Sequence, residues 1–220
     1  MKFDIISIFP ESFDSYFKES IIKRAREKKV IEITIHNLRD YSTSKSKLHR
    51  AVDDKPYGGG PGMILLIEPI AKALKTIKRK KKSRVIMLTP AGKKFTQREA
   101  ERLAKYDQLI LLCGRYEGFD ARVDKLIDEK LSIGDYVLAG GELPAMVVTE
   151  AVARNIKGVV GHDQALKDET FSHDLDYIEY PQYSRPENFK GMKVPDVLLS
   201  GNHQKIADWR KKMAKKRKKS

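Results

Sequence analysis

The apolar positions along the chain alternate between short β-type runs and longer stretches with helical spacing. Runs of β-branched, aromatic and aliphatic residues, typical of buried strands, cover 3–9, 30–38, 84–88 and 109–113. Amphipathic stretches cover 11–29, 68–78, 96–106, 119–130 and 143–156. This alternation predicts an α/β fold: a mainly parallel sheet with helices on both faces.

Three of the apolar runs end in loops rich in glycine or proline. Residues 89–92 read TPAG, 114–118 read GRYEG, and 131–144 read LSIGDYVLAGGELP, where a polar and apolar alternation breaks at Gly140-Gly141. Pro144 and Glu142 suit the first turn of the helix that follows. Because ligands bind at the carboxyl ends of strands in open α/β sheets, the loops predict a pocket lined by backbone groups. A plain strand-to-helix connection is the alternative for 131–144.

Charge and cysteine content narrow the class of protein. The 220 residues include 44 Lys and Arg against 30 Asp and Glu, a net charge of +14, and such an excess attracts polyanions such as nucleic acid. The lone cysteine, Cys113, excludes an internal disulfide and is expected to be a buried hydrophobe rather than a nucleophile. With no signal peptide and no membrane-length apolar run, we expect a cytoplasmic protein without a membrane partner.

Local signals between these elements leave alternatives open. The segment 49–63, HRAVDDKPYGGGPGM, lacks the phosphate-binding GxxxxGK[ST] pattern. One interpretation is a loop that places Asp53, Asp54 and Tyr57 against a large partner. In that case the two acids would either bond to base N–H groups or hold Arg50 in place. The other interpretation is a plain turn. Thr96, with Glu99 three residues on, predicts a capping box.

The character of the chain changes after Gly161. We expect a domain over 1–160, a polar linker over 161–177, and a small module marked by aromatic residues and prolines over 178–220. The module ends in a basic tail, which favours a polyanionic partner.

Seven motifs, taken in order, resemble one family. They are VDDKPYGGGPGM, LTPAG, CGRYEGFDARVD, SIGDYVLAGGELPAM, EAVARNIKGVVG, YPQYSRP and VPDVLLSGNH followed by WR. The pattern is similar to the bacterial tRNA (guanine-N1)-methyltransferase (TrmD) family of the SPOUT superfamily, from residue 1 to about 210. The resemblance implies an α/β SPOUT sheet with a C-terminal trefoil knot, plus a small helical C-terminal module.

The resemblance also implies a cofactor, a partner and a reaction. S-adenosylmethionine would bind in the knot, at Met87, Leu88, Thr89, Pro90, Gly114, Tyr116, Glu117, Ile133, Gly134, Asp135, Tyr136, Val137, Leu138, Gly140, Gly141 and Pro144. The family acts as a homodimer with a shared active site. Its substrate is tRNA, where the guanine just 3′ of the anticodon becomes N1-methylguanine.

The catalytic assignment rests on two matches of unequal quality. The family's arginine corresponds to Arg154 in EAVARNIKGVVG. Its base is an aspartate before Ser-Phe in the linker, but this chain reads KDETFS over 167–172, so the base falls on Glu169 or, shifted by one residue, on Asp168. Asp53, Asp54, Tyr57, Gly58 and Gly59 are expected substrate contacts. No metal site is expected in the protein, and any Mg²⁺ is expected to accompany the tRNA.

Two further functions remain open from sequence. One is a SPOUT methyltransferase acting at another RNA position. The other is an RNA-binding protein that lost its chemistry through the altered linker. The family usually continues with more helix after the WR segment, whereas this chain ends in MAKKRKKS, so its basic tail is expected to supply salt-sensitive RNA contacts.

Overall fold

A computed structural model describes residues 1–44, 50–161, 169–172 and 177–216, with residues 215 and 216 described as backbone only. The chain separates into two compact units, Met1–Gly161 and His162–Ser220.

The strands in the described residues are β1 Lys2–Ser7, β2 Glu32–Asn37, β3 Asp53–Asp54, β4 Ile64–Leu65, β5 Ser83–Lys94, β6 Gln108–Cys113, β7 Glu129–Ser132, β8 Tyr177–Ile178, β9 Asn188–Phe189, β10 Met192–Lys193 and β11 Lys215–Lys216. The α-helices are α1 Asp14–Phe17, α2 Ser20–Glu27, α3 Ile67–Thr76, α4 Gln97–Leu103, α5 Glu142–Arg154, α6 Asp196–Leu199 and α7 His203–Met213. Short 3-10 helices cover Pro10–Phe13, Leu38–Tyr41 and Ala121–Leu126.

The first unit is built on a five-stranded sheet with the order β2-β1-β6-β5-β7. Every neighbouring pair in it is parallel. Parallel strands need crossover connections, which here run over both faces of the sheet. The predicted α/β class and parallel sheet are confirmed.

Alternate residues of each strand pack into two separate cores. On one face Phe3, Ile5 and Leu111 pack with the buried sides of α1, α2, α4 and α5. On the other face Ile6, Met87 and Ile110 pack with α3 and the 3-10 helices Leu38–Tyr41 and Ala121–Leu126. The period of two along a strand explains why both faces are apolar in a sheet covered on both sides.

Three local predictions were wrong. Residues 11–29 do not form one helix, because Glu19 is extended (φ −123°, ψ 159°) and Ser20, which begins α2, has a left-handed φ of 51°. Thr96 precedes α4 but its side chain makes no capping hydrogen bond, since Glu99 is held by Lys93 and Arg102. The stretch 119–130, expected to be helical, contains only the 3-10 helix Ala121–Leu126 and runs into β7 at Glu129.

The second unit contains two small antiparallel strand pairs, β8 with β11 and β9 with β10, together with α6 and α7. The rings of Tyr183 and Trp209 approach to 6.3 Å between centroids, and the guanidinium of Arg210 lies 5.0 Å from the centroid of Tyr180. The aromatic residues of this segment therefore hold the unit together locally.

Candidate functional site

A cleft of about 260 Å³ opens at the carboxyl edge of the sheet, where β5, β6 and β7 end. Its walls are the three loops singled out by their glycines and prolines. The lining residues are Leu88, Thr89, Pro90, Gly114, Arg115, Tyr116, Glu117, Gly118, Phe119, Leu131, Ser132, Ile133, Gly134, Tyr136, Val137, Leu138, Ala139, Gly140, Gly141 and Pro144.

The first wall is a bulge in β5. Pairing with β7 runs to Leu88 opposite Leu131, then resumes at Lys93, which is also opposite Leu131. The residues between them leave the ladder and carry Thr89 and Pro90 into the cleft. Gly92 allows this, because a β-carbon there would lie 2.6 Å from the Leu131 backbone.

The second wall follows β6. Tyr116 takes a left-handed conformation with φ 60°, which turns the chain sharply after the strand. The Glu117 amide donates to the Met63 carbonyl at 3.0 Å, and the Leu65 amide donates to the Gly118 carbonyl at 2.9 Å. This wall is therefore fastened to the glycine-rich segment around residues 58–63.

The third wall runs from β7 to α5. The Ser132 hydroxyl donates to the Gly134 carbonyl at 2.9 Å, which folds the chain tightly at the start of the loop. At the other end the Gly141 amide donates to the Gly114 carbonyl at 2.8 Å, and Gly140 forms a bridge with Arg115. The second and third walls are thus joined backbone to backbone.

A buried ionic contact lies beneath these two walls. Glu142, the first residue of α5, is only 3% exposed. Its carboxylate accepts hydrogen bonds from the Ser7 hydroxyl at 2.6 Å and from Arg115 Nε at 2.9 Å.

Cys113 ends β6 directly below the cleft and is buried. Burial, followed by the negative charge of Glu142, raises the pKa of its thiol well above the ordinary value. A thiol kept protonated is a poor nucleophile, which agrees with the expectation that Cys113 is a buried hydrophobe.

Fourteen of the sixteen predicted cofactor residues line the cleft. Met87 does not, because its side chain packs in the core on the α3 face of the sheet. Asp135 does not line it either, and its carboxylate pairs with Lys94.

Six lining residues were missed by the sequence prediction: Arg115, Gly118, Phe119, Leu131, Ser132 and Ala139. All of them lie within the quoted motifs CGRYEGFDARVD and LSIGDYVLAGGELP. Choosing every residue of the loops, rather than those matched to the family, would have found them.

The predicted substrate residues lie on and beside the neighbouring glycine-rich loop. Asp53 and Asp54 form β3, paired with β4, and Asp54 accepts a hydrogen bond from the Lys55 amide. Arg50 pairs with Asp40 at 2.6 Å, so the expectation that the two acids fix Arg50 was wrong. Tyr57 is fully exposed, next to Gly58 and Gly59, which both have positive φ.

The predicted catalytic residues lie in different units. Arg154 ends α5 and is half-buried. Glu169 belongs to the second unit, and Asp168 lies outside the described residues.

Two features are absent from the described part of the chain. It contains no group of three or more His, Cys, Asp or Glu side chains able to hold a metal ion. None of its helices has the length and apolarity to cross a membrane.

Comparison with known proteins gives a consistent result. The family model described as tRNA (Guanine-1)-methyltransferase TrmD matches residues 1–220. A tRNA (guanine-N(1)-)-methyltransferase from Dictyoglomus turgidum is 52% identical over 217 residues, which are 99% of this chain and 86% of that protein. A relative of the same name from Carboxydothermus hydrogenoformans is 51% identical, over 97% of this chain and 83% of that protein. Another from Staphylococcus carnosus is 49% identical, over 96% of this chain and 84% of that protein.

Proposed function

Because the chain belongs to the TrmD family of tRNA (guanine-1)-methyltransferases, we propose that it methylates N1 of a tRNA guanine with S-adenosylmethionine bound in the cleft at the carboxyl edge of the sheet. Membership makes the protein a tRNA (guanine-N1)-methyltransferase. The proposal concerns the methyl donor, the target guanine and the residues that act on it.

The observation that carries the cofactor assignment is the way the cleft is built. Backbones from β6 and the third wall meet so closely that a β-carbon on Gly141 would lie 2.6 Å from Cys113 Cα. Tyr116, Tyr136 and Glu117 line the same cleft. Aromatic faces and a carboxylate suit a ligand that carries both an adenine ring and a cationic sulfonium. When bound, this ligand supplies an electrophilic methyl group.

The SPOUT trefoil knot is part of the same proposal. The bulge of β5 between Leu88 and Lys93, with Gly92 against the backbone of Leu131, supports a fold in which chain segments pass one another at close range here.

The protein's own chemical task is to make guanine N1 nucleophilic. N1 carries a proton in neutral guanine, and a carboxylate within hydrogen-bond reach can remove it. We assign this role to Glu169, with Asp168 as the alternative. Negative charge then develops on O6, where the guanidinium of Arg154 would stabilise it.

The target we propose is the guanine just 3′ of the anticodon, preceded by another guanine. Bases of a single-stranded loop can leave their stack and rest on aromatic side chains. Tyr57, fully exposed beside flexible glycines, is such a side chain. We propose that the tRNA is also contacted by Asp53, Asp54, Gly58 and Gly59. The net charge of +14 favours binding to the phosphate backbone of the tRNA.

We also propose that the enzyme acts as a homodimer with a shared active site. Leu143 and Val147 lie one turn apart on α5 and are exposed, as is Val137 in the third wall. Exposed apolar side chains grouped beside a cleft are typical of a surface that is covered in the assembled protein.

The experiment is labelled methyl transfer to a tRNA transcript with two guanines at the 3′ boundary of the anticodon. A second transcript replaces the target guanine with adenine. Glu169→Gln, Asp168→Asn and Arg154→Lys are compared with Glu187→Gln, an exposed carboxylate in the same unit as Glu169.

We expect turnover only on the guanine transcript, with Glu169→Gln and Arg154→Lys reduced by about 10²–10⁴-fold. Loss in Asp168→Asn instead would move the base by one residue. Binding of tRNA without any turnover by the wild type would overturn the proposal in favour of an RNA-binding protein.

A further inference from the structure

Glu142 is a buried carboxylate whose two oxygens both accept hydrogen bonds, yet it does not line the cleft. Its Oε1 accepts from the Ser7 hydroxyl at 2.6 Å and its Oε2 accepts from Arg115 Nε at 2.9 Å. Both oxygens therefore have a partner, and the carboxylate also lies at the positive end of α5.

These contacts join three segments that are distant in sequence. Ser7 ends β1, Arg115 follows β6, and Glu142 begins α5. The Ser7 hydroxyl also accepts a hydrogen bond from the Phe9 amide at 2.9 Å, which fixes its orientation. The carboxylate thus has a rigid donor on one side and a cleft residue on the other.

Arg115 connects the fixed carboxylate of Glu142 to the third wall of the cleft. Its guanidinium lies 4.5 Å from the centroid of Phe9, and Nη1 donates to the Ala139 carbonyl at 3.4 Å. Its backbone bridges Gly140, where a β-carbon would lie 2.2 Å from Arg115 Nε. Displacing the guanidinium would therefore displace 139–140, which line the cleft.

Stability alone does not account for this arrangement. A buried ion pair can often be replaced by apolar side chains at no cost to stability, whereas removing one partner leaves an uncompensated charge. The ion pair also fixes an orientation, because the carboxylate of Glu142 is held in place and determines where the planar guanidinium of Arg115 points.

We propose that Glu142, braced by Ser7, is a positioning residue for the methyl-transfer reaction: through Arg115 it holds the third wall at the spacing the methyl donor requires. This inference rests on the proposed function, because it takes the cleft as the donor site. Glu142 does not line the cleft itself, so its effect is expected on donor binding through Arg115.

The test measures the dissociation constant for S-adenosylhomocysteine, the KM for S-adenosylmethionine, kcat at saturating tRNA, and Tm. The variants are Glu142→Gln and the milder Ser7→Ala. Asp4→Asn is the matched control, because Asp4 is a fully buried carboxylate on the same strand as Ser7 and bonds to His36 and Gln108 instead.

We expect Glu142→Gln to weaken S-adenosylhomocysteine binding about tenfold, the equivalent of one charge-assisted hydrogen bond, and to raise KM in parallel. The value of kcat should change by less than about threefold, because the third wall is expected to bind the donor equally well in the ground state and the transition state. Asp4→Asn should lower Tm without changing the dissociation constant.

A double-mutant cycle separates action through Arg115 from a general loss of structure. If Glu142 acts through Arg115, Glu142→Gln added to Arg115→Met should weaken ligand binding far less than it does alone. Additive effects would overturn the proposal, as would an unchanged dissociation constant in both Glu142→Gln and Ser7→Ala. Failure of the wild type to bind S-adenosylhomocysteine would be a different result, since it removes the donor site itself.

Discussion

A β-carbon on Gly141 would lie 2.6 Å from the Cα atom of Cys113, so the third wall of the cleft and the end of β6 meet backbone against backbone. Neither partner can move aside as a flexible side chain could. The contact explains why a glycine pair, rather than any small polar residue, precedes α5.

Gly141→Ala should therefore destabilise the protein by about 1–3 kcal/mol, as overpacking in a rigid site does. It should also weaken S-adenosylhomocysteine binding, because 140–141 line the cleft. Urea unfolding and calorimetric titration check the two effects. Gly161→Ala is the control: a β-carbon there has open space, and a change beyond about 0.5 kcal/mol would contradict the steric explanation.

Gly62 connects the glycine-rich loop to Glu117 in the cleft. It has φ +82°, and a β-carbon would lie 2.7 Å from Glu117 Cγ. Gly62→Ala should cost about 1–2 kcal/mol of stability from the left-handed backbone and should also weaken donor binding severalfold by displacing Glu117.

Gly59→Ala separates these two effects, because Gly59 has φ +79° but nothing within 4 Å of its β-carbon position. The same loss of stability without a change in donor affinity is expected. Equal donor affinity in the two variants would show that the Glu117 contact is unimportant.

Tyr57 should matter for tRNA and not for folding, since its side chain is fully exposed. If it stacks on a base, Tyr57→Ala should lose about 1–3 kcal/mol of tRNA binding and leave Tm unchanged. Tyr57→Phe keeps the ring and should behave as wild type. Filter binding and steady-state KM for tRNA check this, and equal KM values for the two variants would exclude stacking.

Asp4 should give the protein a component of stability that depends on pH. Burial raises the pKa of Asp4, but hydrogen bonds from His36, Gln108 and Lys2 outweigh it, and the net pKa lies below the ordinary 3.8. A lowered folded pKa stabilises the native state above the unfolded value, and this is lost as pH falls through the folded pKa.

The free energy of unfolding of the wild type minus that of Asp4→Asn should be about 1–3 kcal/mol at pH 7 and should shrink below pH 4. Urea titrations between pH 7 and pH 3 measure it. Asp14→Asn, which removes an exposed partner of Lys18, should differ from wild type by well under about 1 kcal/mol. A difference for Asp4 that grows on acidification would contradict the sign.

Cys113 should resist thiol reagents in the native protein. Its thiol is buried and its pKa is raised, so at pH 8 almost no thiolate is exposed. Ellman's reagent should react with one thiol per chain in urea and with none in buffer. Rapid reaction of the native protein would show that the cleft floor opens.

The sequence predicted the position of the cleft because its signal is local. The loops that carry Gly92, Gly114 and Gly134 each follow an apolar run, and parallel strands bring their carboxyl ends to one edge. The loops that line the cleft could therefore be chosen from the sequence alone, whereas the methyl donor was implied only by the family resemblance.

Contacts between distant segments could not be predicted in this way. Ser7 and Glu142 are 135 residues apart, and nothing in the spacing of either suggests the other. Glu99 shows that a local sequence pattern can also predict a contact that does not form. Its local pattern with Thr96 predicts a capping box, but Lys93 and Arg102 compete for the same carboxylate. Tertiary partners decided both cases.

The strand order has a consequence for how the protein is made. Strand β1 is synthesised before the other four strands of the sheet and lies between β2 and β6. It therefore has one unpaired edge until residues 108–113 are synthesised roughly 100 residues later, or about 5–20 s at ordinary elongation rates. During that time one edge of β1, whose last five residues are all buried in the folded protein, has no strand to pair with. We therefore expect folding during synthesis to be sensitive to translation speed upstream of β6, because this speed sets how long the edge of β1 stays unpaired.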